Sequence, residues 1–153
     1  LYSEETTPIF ETATELGQVL QDDVDKRYYI DSNDLPKWQY LKGAKEEYRT
    51  SSGSRRYLFA EGKVAFPDSL SKPSRTMLTS EGTVSRSSHV VIDKTTGQLR
   101  YLTPVECERL NGFPDGWTDM LPDKYRYFTM GNALVVPIVT RIAETIIRTE
   151  LYD

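Results

Sequence analysis

The chain has 153 residues, 38% of them hydrophobic, and a formal net charge of −4, enough for one packed domain or for a small domain with an extended tail. A single cysteine, Cys107, excludes an internal disulfide and fits a reducing compartment, and no uninterrupted apolar run approaches the roughly 18–20 residues of a membrane span. The acidic balance argues against nucleic acid only until its distribution is read. Residues 1–35 carry nine acidic and two basic side chains, whereas residues 42–100 carry eleven basic and six acidic ones. A basic middle interleaved with Ser, Thr, Gly and Tyr suits a phosphate backbone, a weak signal on its own.

In chain order, residues 1–50 read as a lead-in with helical patches. TATELGQVLQD places Leu16, Val19 and Leu20 on one stripe, and YYI is strand-like. In SNDLPKWQYLKGAKEEY, Leu35, Trp38, Leu41 and Tyr48 recur at helical spacing, with Ser32 or Asn33 as the cap. Residues 51–103 read as short strands between turns: RRYLFA, KVAF, RTMLT, HVVID and QLRYLT. DKTTG joins the last two as a hairpin, with Gly97 supplying the special backbone angle.

The stretch RYLTPVECERLNGFPDGW, residues 100–117, has the most explicit local signals. Thr103 is an N-cap, Glu106 completes a capping box, and Pro104 occupies the first helical position, where its missing N–H is not needed. Gly112 closes the helix in the left-handed conformation and Pro114 forbids continuation. After PDKYRYFTM comes ALVVPIVTRIAETIIRTELYD, a helix whose Val135, Ile138, Val139, Ile142, Ile146 and Ile147 form one apolar stripe. That stripe needs a cover, either the strand-rich middle of this chain or a domain outside it. The turn before it, TMGNALVVP, has Gly131 for close backbone approach and Asn132 as donor, acceptor or cap.

These residues carry a resemblance. Arg100, Leu102, Thr103, Pro104, Glu106, Arg109, Leu110, Gly112, Phe113, Pro114 and Asp115 resemble the ninth conserved motif of cytosine-5 DNA methyltransferases. Residues 127–146, with Tyr127, Gly131, Asn132 and Ala133, resemble the tenth and last, and residues 73–92 are similar to the end of that family's target-recognition region. The resemblance is strong over residues 73–147 and faint over 1–50.

The resemblance implies an α+β fold. A small irregular target-recognition domain of short antiparallel strands with helices is followed by a C-terminal helix that docks on a Rossmann-like catalytic domain absent from this chain. The division expected is a helical lead-in over 1–50, target recognition over 51–126 with the ninth motif at 100–115, and the tenth motif with its helix over 127–153. By the same resemblance, Arg100, Glu106 and Arg109 form a charge-paired scaffold; the i, i+3 spacing of Glu106 and Arg109 agrees. Gly131, Asn132 and Ala133 form part of the S-adenosyl-L-methionine pocket. Two loops face the major groove of double-stranded DNA while the target cytosine is flipped out. The DNA-binding residues implied are Ser54, Arg55 and Arg56 in the first loop, and Glu81, Gly82, Ser85, Arg86 and Ser87 in the second. Thr76 matches a family threonine near the flipped base.

The family's chemistry requires a cysteine nucleophile in a Pro-Cys motif, a Glu-Asn-Val motif and a glycine-rich cofactor loop, because a thiolate must add to carbon 6 of cytosine and leave again. The 153 residues contain none of these; Cys107 reads as a packing residue, and the lone His89 as structural or near the DNA backbone rather than a general base. No catalytic residue and no metal is therefore expected here. The chain, which begins at Leu1, is expected to be part of a longer methyltransferase or the small subunit of a split one, acting with its catalytic domain and DNA in a bacterial cytoplasm, at the nucleoid, with no membrane partner. Restriction–modification is the setting the resemblance suggests. A non-catalytic, sequence-specific DNA-binding module, or a protein-interaction module using the Val/Ile helix, are the alternatives. The basic middle favours DNA over the latter, and the Gly-Asn-Ala turn argues against a pure DNA reader.

Overall fold

The computed structural model describes Thr7, Phe10 and residues 12–152; the rest of the expected 1–50 lead-in lies outside the described residues. The chain enters through a short helix, α1 (Leu16–Val19), and two 3-10 turns, Lys26–Tyr28 and Ser32–Asp34, then α2 (Leu35–Lys42). Strands β1 (Lys45–Thr50) and β2 (Arg56–Glu61) follow. After a long irregular segment come β3 (Val90–Ile92), β4 (Leu99–Tyr101) and helices α3 (Pro104–Asn111), α4 (Asp123–Asn132) and α5 (Val136–Tyr152). The strands form two separate antiparallel hairpins, β1–β2 and β3–β4.

The local signals of the capped helix are realised. The Glu106 N–H donates to Thr103 Oγ1, the Thr103 N–H donates to Glu106 Oε2 at 2.8 Å, and Gly112 takes φ 79°. The β3–β4 turn closes through Asp93, whose carboxylate accepts from the Thr95 and Thr96 N–H groups, with Gly97 at φ 70°.

Other expectations are corrected. Lys45–Thr50 is strand, not a continuation of α2, because it pairs along its whole length with β2, Lys45 opposite Glu61 through Thr50 opposite Arg56. Such non-local pairing overrides a helical spacing. KVAF and RTMLT form no strand. Neither Ser32 nor Asn33 caps α2; Asp31 and Asp34 stand at those boundaries. Gly131 and Asn132 end α4, and the break before α5 is Ala133–Val135. Boundaries at 50/51 and 126/127 would fall at the end of β1 and inside α4.

The core gathers Leu16, Val19, Val91, Leu102, Cys107, Tyr127 and Met130 from α1, β3, α3, α4 and the residue after β4. The acidic lead-in is thus part of the same body. Leu16 and Gly17 N–H groups donate to Lys72 and Leu70 carbonyls at 2.8 Å, and the Gln21 N–H donates to Glu106 Oε1 at 2.8 Å. Trp38, fully buried, lies between Phe66 and Tyr101.

Helix α5 is the exception. Val135, Ile138, Val139, Ile142, Ile146 and Ile147 are all exposed. By length and composition alone the helical residues Asp123–Arg148 could cross a membrane, with mean hydropathy 1.4 in their most apolar window. The reading of no such segment is corrected to that extent, since α4 and α5 follow each other with three residues between them.

Candidate nucleic-acid interface

The motif residues Arg100 and Glu106 are turned inward. Arg100, fully buried on β4, donates to Asp93 Oδ2 at 2.9 Å and, with two nitrogens, to Glu106 at 2.7 and 2.8 Å. A guanidinium matched to two carboxylates in a dry site is a fixed joint, since its planar fork leaves little freedom. Burial alone would raise the Asp93 pKa, but donation from Thr96, from Arg100 and from the Thr95 N–H brings it down to about 2. Arg109 does not join this set. It forms a forked pair with Asp115 at 2.8 and 2.6 Å and donates to the Val19 carbonyl. The expected Glu106–Arg109 pairing is therefore replaced by one across the helix end.

On the other side of α3, Glu108 accepts from the Gly116 and Thr118 N–H groups, the Thr118 hydroxyl and Arg126. These bonds hold its carboxyl below the usual range against the opposing effect of burial. Neither Glu108 nor Arg126 belongs to the scaffold set that the resemblance implies. Cys107 is fully buried between the two glutamates, and burial pushes its thiol pKa well up, away from thiolate.

The second expected DNA loop is tied to the same body. Glu81 is 1% exposed and accepts from the His89 N–H at 2.6 Å, with His89 Nδ1 at 2.9 Å from its other oxygen. In this structure both Glu81 carboxylate oxygens are thus engaged by His89. Gly82 packs on the Tyr127 ring, where a Cβ would meet a ring carbon at 2.2 Å. Ser85 and Ser87 share hydroxyl contacts with each other and with Ser80. Arg86 is spent on backbone: it donates to the Leu41 and Gly43 carbonyls at 2.7 and 3.0 Å and to the Gly62 carbonyl. These carbonyls lie at the root of the β1–β2 hairpin, so Arg86 is a clasp there rather than a free reading group.

Two further cations complete the clasp. Arg75 holds Asp68 by two nitrogens at 2.6 and 3.1 Å and reaches the Ser87 and Ser88 carbonyls. Buried Lys42 donates to the Ser88 carbonyl, and burial, with Arg75 nearby, lowers its pKa to about 8. What remains exposed at this end is Thr76, Leu78, Thr79, Thr83 and Val84, together with the β1–β2 hairpin. The hairpin tip presents Ser51–Arg55 with Ser54 at φ 62°, followed by Arg56 stacked 4.3 Å from the Tyr48 ring centroid. Arg55 and Arg56 form no ion pair among the described residues.

Gly131 is needed for packing against the Leu78–Thr79 segment. A Cβ there would lie 2.4 Å from the Thr79 nitrogen and 2.5 Å from the Leu78 carbonyl carbon, both backbone atoms. Asn132 is exposed, its amide donating to the Phe128 carbonyl, and Ala133 is half-buried against the core.

The C-5 cytosine-specific DNA methylase family model matches residues 2–148. The chain belongs to that family. It is 46% identical over 142 residues to the type II methyltransferase M.Sau3AI of Staphylococcus aureus, covering 93% of this chain and 34% of that protein. It is 29% identical to the type II methyltransferase M.NlaX of Neisseria lactamica, covering 86% and 38%. This member of the methylase family thus spans little more than a third of these relatives. Two solved structures share its fold: the Entamoeba histolytica methyltransferase EhMeth (TM-score 0.57, 18% identity, 94% of this chain and 43% of that one) and the S. pombe Dnmt2 methyltransferase (TM-score 0.59, 17% identity, 88% and 42%).

Proposed function

We propose that this chain supplies target recognition, and one wall of the S-adenosylmethionine pocket, to a DNA (cytosine-5-)-methyltransferase that methylates carbon 5 of a flipped cytosine in a specific duplex sequence, in a bacterial cytoplasm at the nucleoid. The observation that carries the reading is a division within the molecule. The motif residues of β4 and α3 are turned inward and mutually paired, while the arginine-bearing hairpin tip and the apolar face of α5 are turned out. The hairpin, with Ser54, Arg55 and Arg56, is the reading element; Thr76 and the exposed edge of the 79–87 segment lie beside the DNA.

Asn132 and its neighbours Gly131 and Ala133 suit one open wall of a cofactor site, since Asn132 is exposed and followed directly by the exposed Leu134 and Val135. S-adenosylmethionine supplies the methyl group when bound. The α5 stripe docks on the catalytic domain that holds the rest of that site.

The only sulfur nucleophile here, Cys107, is sealed in the core. The chain alone should therefore leave tritium transfer from S-adenosylmethionine to mixed-sequence DNA at background, and activity should return with the catalytic portion. Transfer by this chain alone that vanishes in Cys107→Ser would overturn the proposal.

A further inference from the structure

We infer that the β1–β2 hairpin lies in the major groove and reads DNA with one of its two faces, the face of Tyr48, Thr50, Arg56 and Leu58. The inference rests on the target-recognition reading and adds to it a reading face and three residues, Tyr48, Thr50 and Leu58, outside the expected loop.

In an antiparallel ladder directly opposed residues share a face, and successive residues alternate between faces. The register therefore sorts the hairpin in two. Glu46 lies opposite Ala60 at the root, Tyr48 opposite Leu58 and Thr50 opposite Arg56 on one face; Lys45 lies opposite Glu61, Glu47 opposite Phe59 and Arg49 opposite Tyr57 on the other. The second face is internally neutralised. Arg49 donates to Glu47 through two nitrogens at 2.8 and 2.6 Å while lying 3.4 Å from the Phe59 ring centroid, and Lys45 meets Glu61 at 3.5 Å.

On the first face the Arg56 guanidinium rests 4.3 Å from the Tyr48 ring centroid. Stacking fixes its plane and leaves its N–H fork available for the O6 and N7 atoms of guanine. Tyr48 and Leu58 are 64% and 48% exposed. Leu58 and the Thr50 methyl are the groups that suit a thymine methyl. From Thr50 to Ala60 the chain contains two arginines, Arg55 and Arg56, and no acidic residue, which complements phosphate. The groove, about 12 Å wide and about 8.5 Å deep, admits a two-stranded ribbon. Strands of six residues, roughly 20 Å long, can lay that face along the groove while the root stays at its edge with the Arg86 clasp.

The test uses the full-length methyltransferase and two duplexes, one recovered by selection from a randomised library and one a shuffle of it. Arg56→Ala should lose roughly 10- to 100-fold in affinity for the selected duplex and under about 3-fold for the shuffled one. Arg56→Lys should restore the shuffled duplex only. Arg49→Ala, the control in the same hairpin, should lower both alike and by less. Equal losses on both duplexes for Arg56→Ala, or a sequence-selective loss for Arg49→Ala, would overturn the face assignment. Replacing Ser51–Arg55 by a two-residue turn separates the two claims. Selected binding that survives this change but falls with Arg56→Ala supports the face; selected binding that survives both would mean that the hairpin is no recognition element, and the reading beneath the inference would fail for it. If selected binding is lost while Arg56→Ala is silent, the face alone is wrong.

Discussion

The β3–α4 region and the β1–β2 hairpin contain similar polar residues and use them in opposite ways. Between Asp93 and Arg126 two charge clusters sit in the interior: Arg100 with Asp93 and Glu106, and Glu108 with Arg126. In the hairpin they sit at the surface, with aromatic rings beneath Arg49 and Arg56 and no buried partner. Burial makes a charge an obligation, since losing one partner leaves the other uncompensated. Exposure leaves it available. The difference separates the part of the chain that holds shape from the part that does work outside it.

The sharpest way to break that comparison is Arg100→Ala. It strands Asp93 and Glu106 in the core, and loss of about 3–5 kcal/mol is expected, enough to unfold a marginal domain. Arg56→Ala should change the unfolding midpoint by about 0.5 kcal/mol or less. Urea titration of both variants checks the contrast; comparable losses would show that the hairpin is also structural.

Gly131→Ala comes next. The new methyl meets the Leu78–Thr79 backbone, which a rotamer change cannot relieve, so about 1–3 kcal/mol of stability should go. A melt of the chain without cofactor measures it. An unchanged melt beside weakened S-adenosylmethionine binding in the full enzyme would assign Gly131 to the cofactor alone.

What was legible in the sequence was what local chemistry decides. Thr103, Pro104, Glu106 and Gly112 each act within one helix, and DKTTG within one turn, so their structure could be read directly. The failures are non-local. Tyr48 continues the spacing of Leu35, Trp38 and Leu41, yet its strand is decided by residues ten further along. Glu81 and Arg86 lie in a Ser- and Gly-rich segment that reads as a loop facing DNA. Their partners, His89 and the hairpin-root carbonyls, are brought to them only by the fold. Arg109 found Asp115 beyond the helix end rather than Glu106 one turn back. For the candidate site, the hairpin tip was legible by composition, and its two faces were not, because a face depends on register.

Acid titration probes the same contrast more gently. Asp93 has its folded pKa lowered to about 2, so its bonds stabilise the fold fully above the ordinary carboxylate range and lose that contribution as pH falls from about 4 to about 2. Glu108 and Asp68 are lowered as well and act in the same direction. A loss of about 2 kcal/mol from Asp93 is expected over that window, and Asp93→Asn should flatten the profile there. An unaltered slope in Asp93→Asn would remove Asp93 from the account.

The smallest expected effect on this chain is at α5. Ile138 and Ile142 are 58% and 56% exposed, so changing both to Glu removes little buried surface and should move the unfolding midpoint by about 0.5 kcal/mol or less. Each isoleucine that does become buried against a partner is worth about 1.5–3 kcal/mol. The double variant should therefore reduce hydrophobic-dye binding and aggregation of this chain while abolishing its assembly with the catalytic portion. Vesicle flotation answers the membrane alternative raised by the apolar Asp123–Arg148 stretch. Flotation of the unsubstituted chain, with assembly untouched in the variant, would place α5 against lipid and refute docking. Loss of stability comparable to that of Arg100→Ala would instead mean that α5 is covered by this chain itself, and that the contrast between an inward-facing scaffold and outward-facing working surfaces does not extend to the last helix.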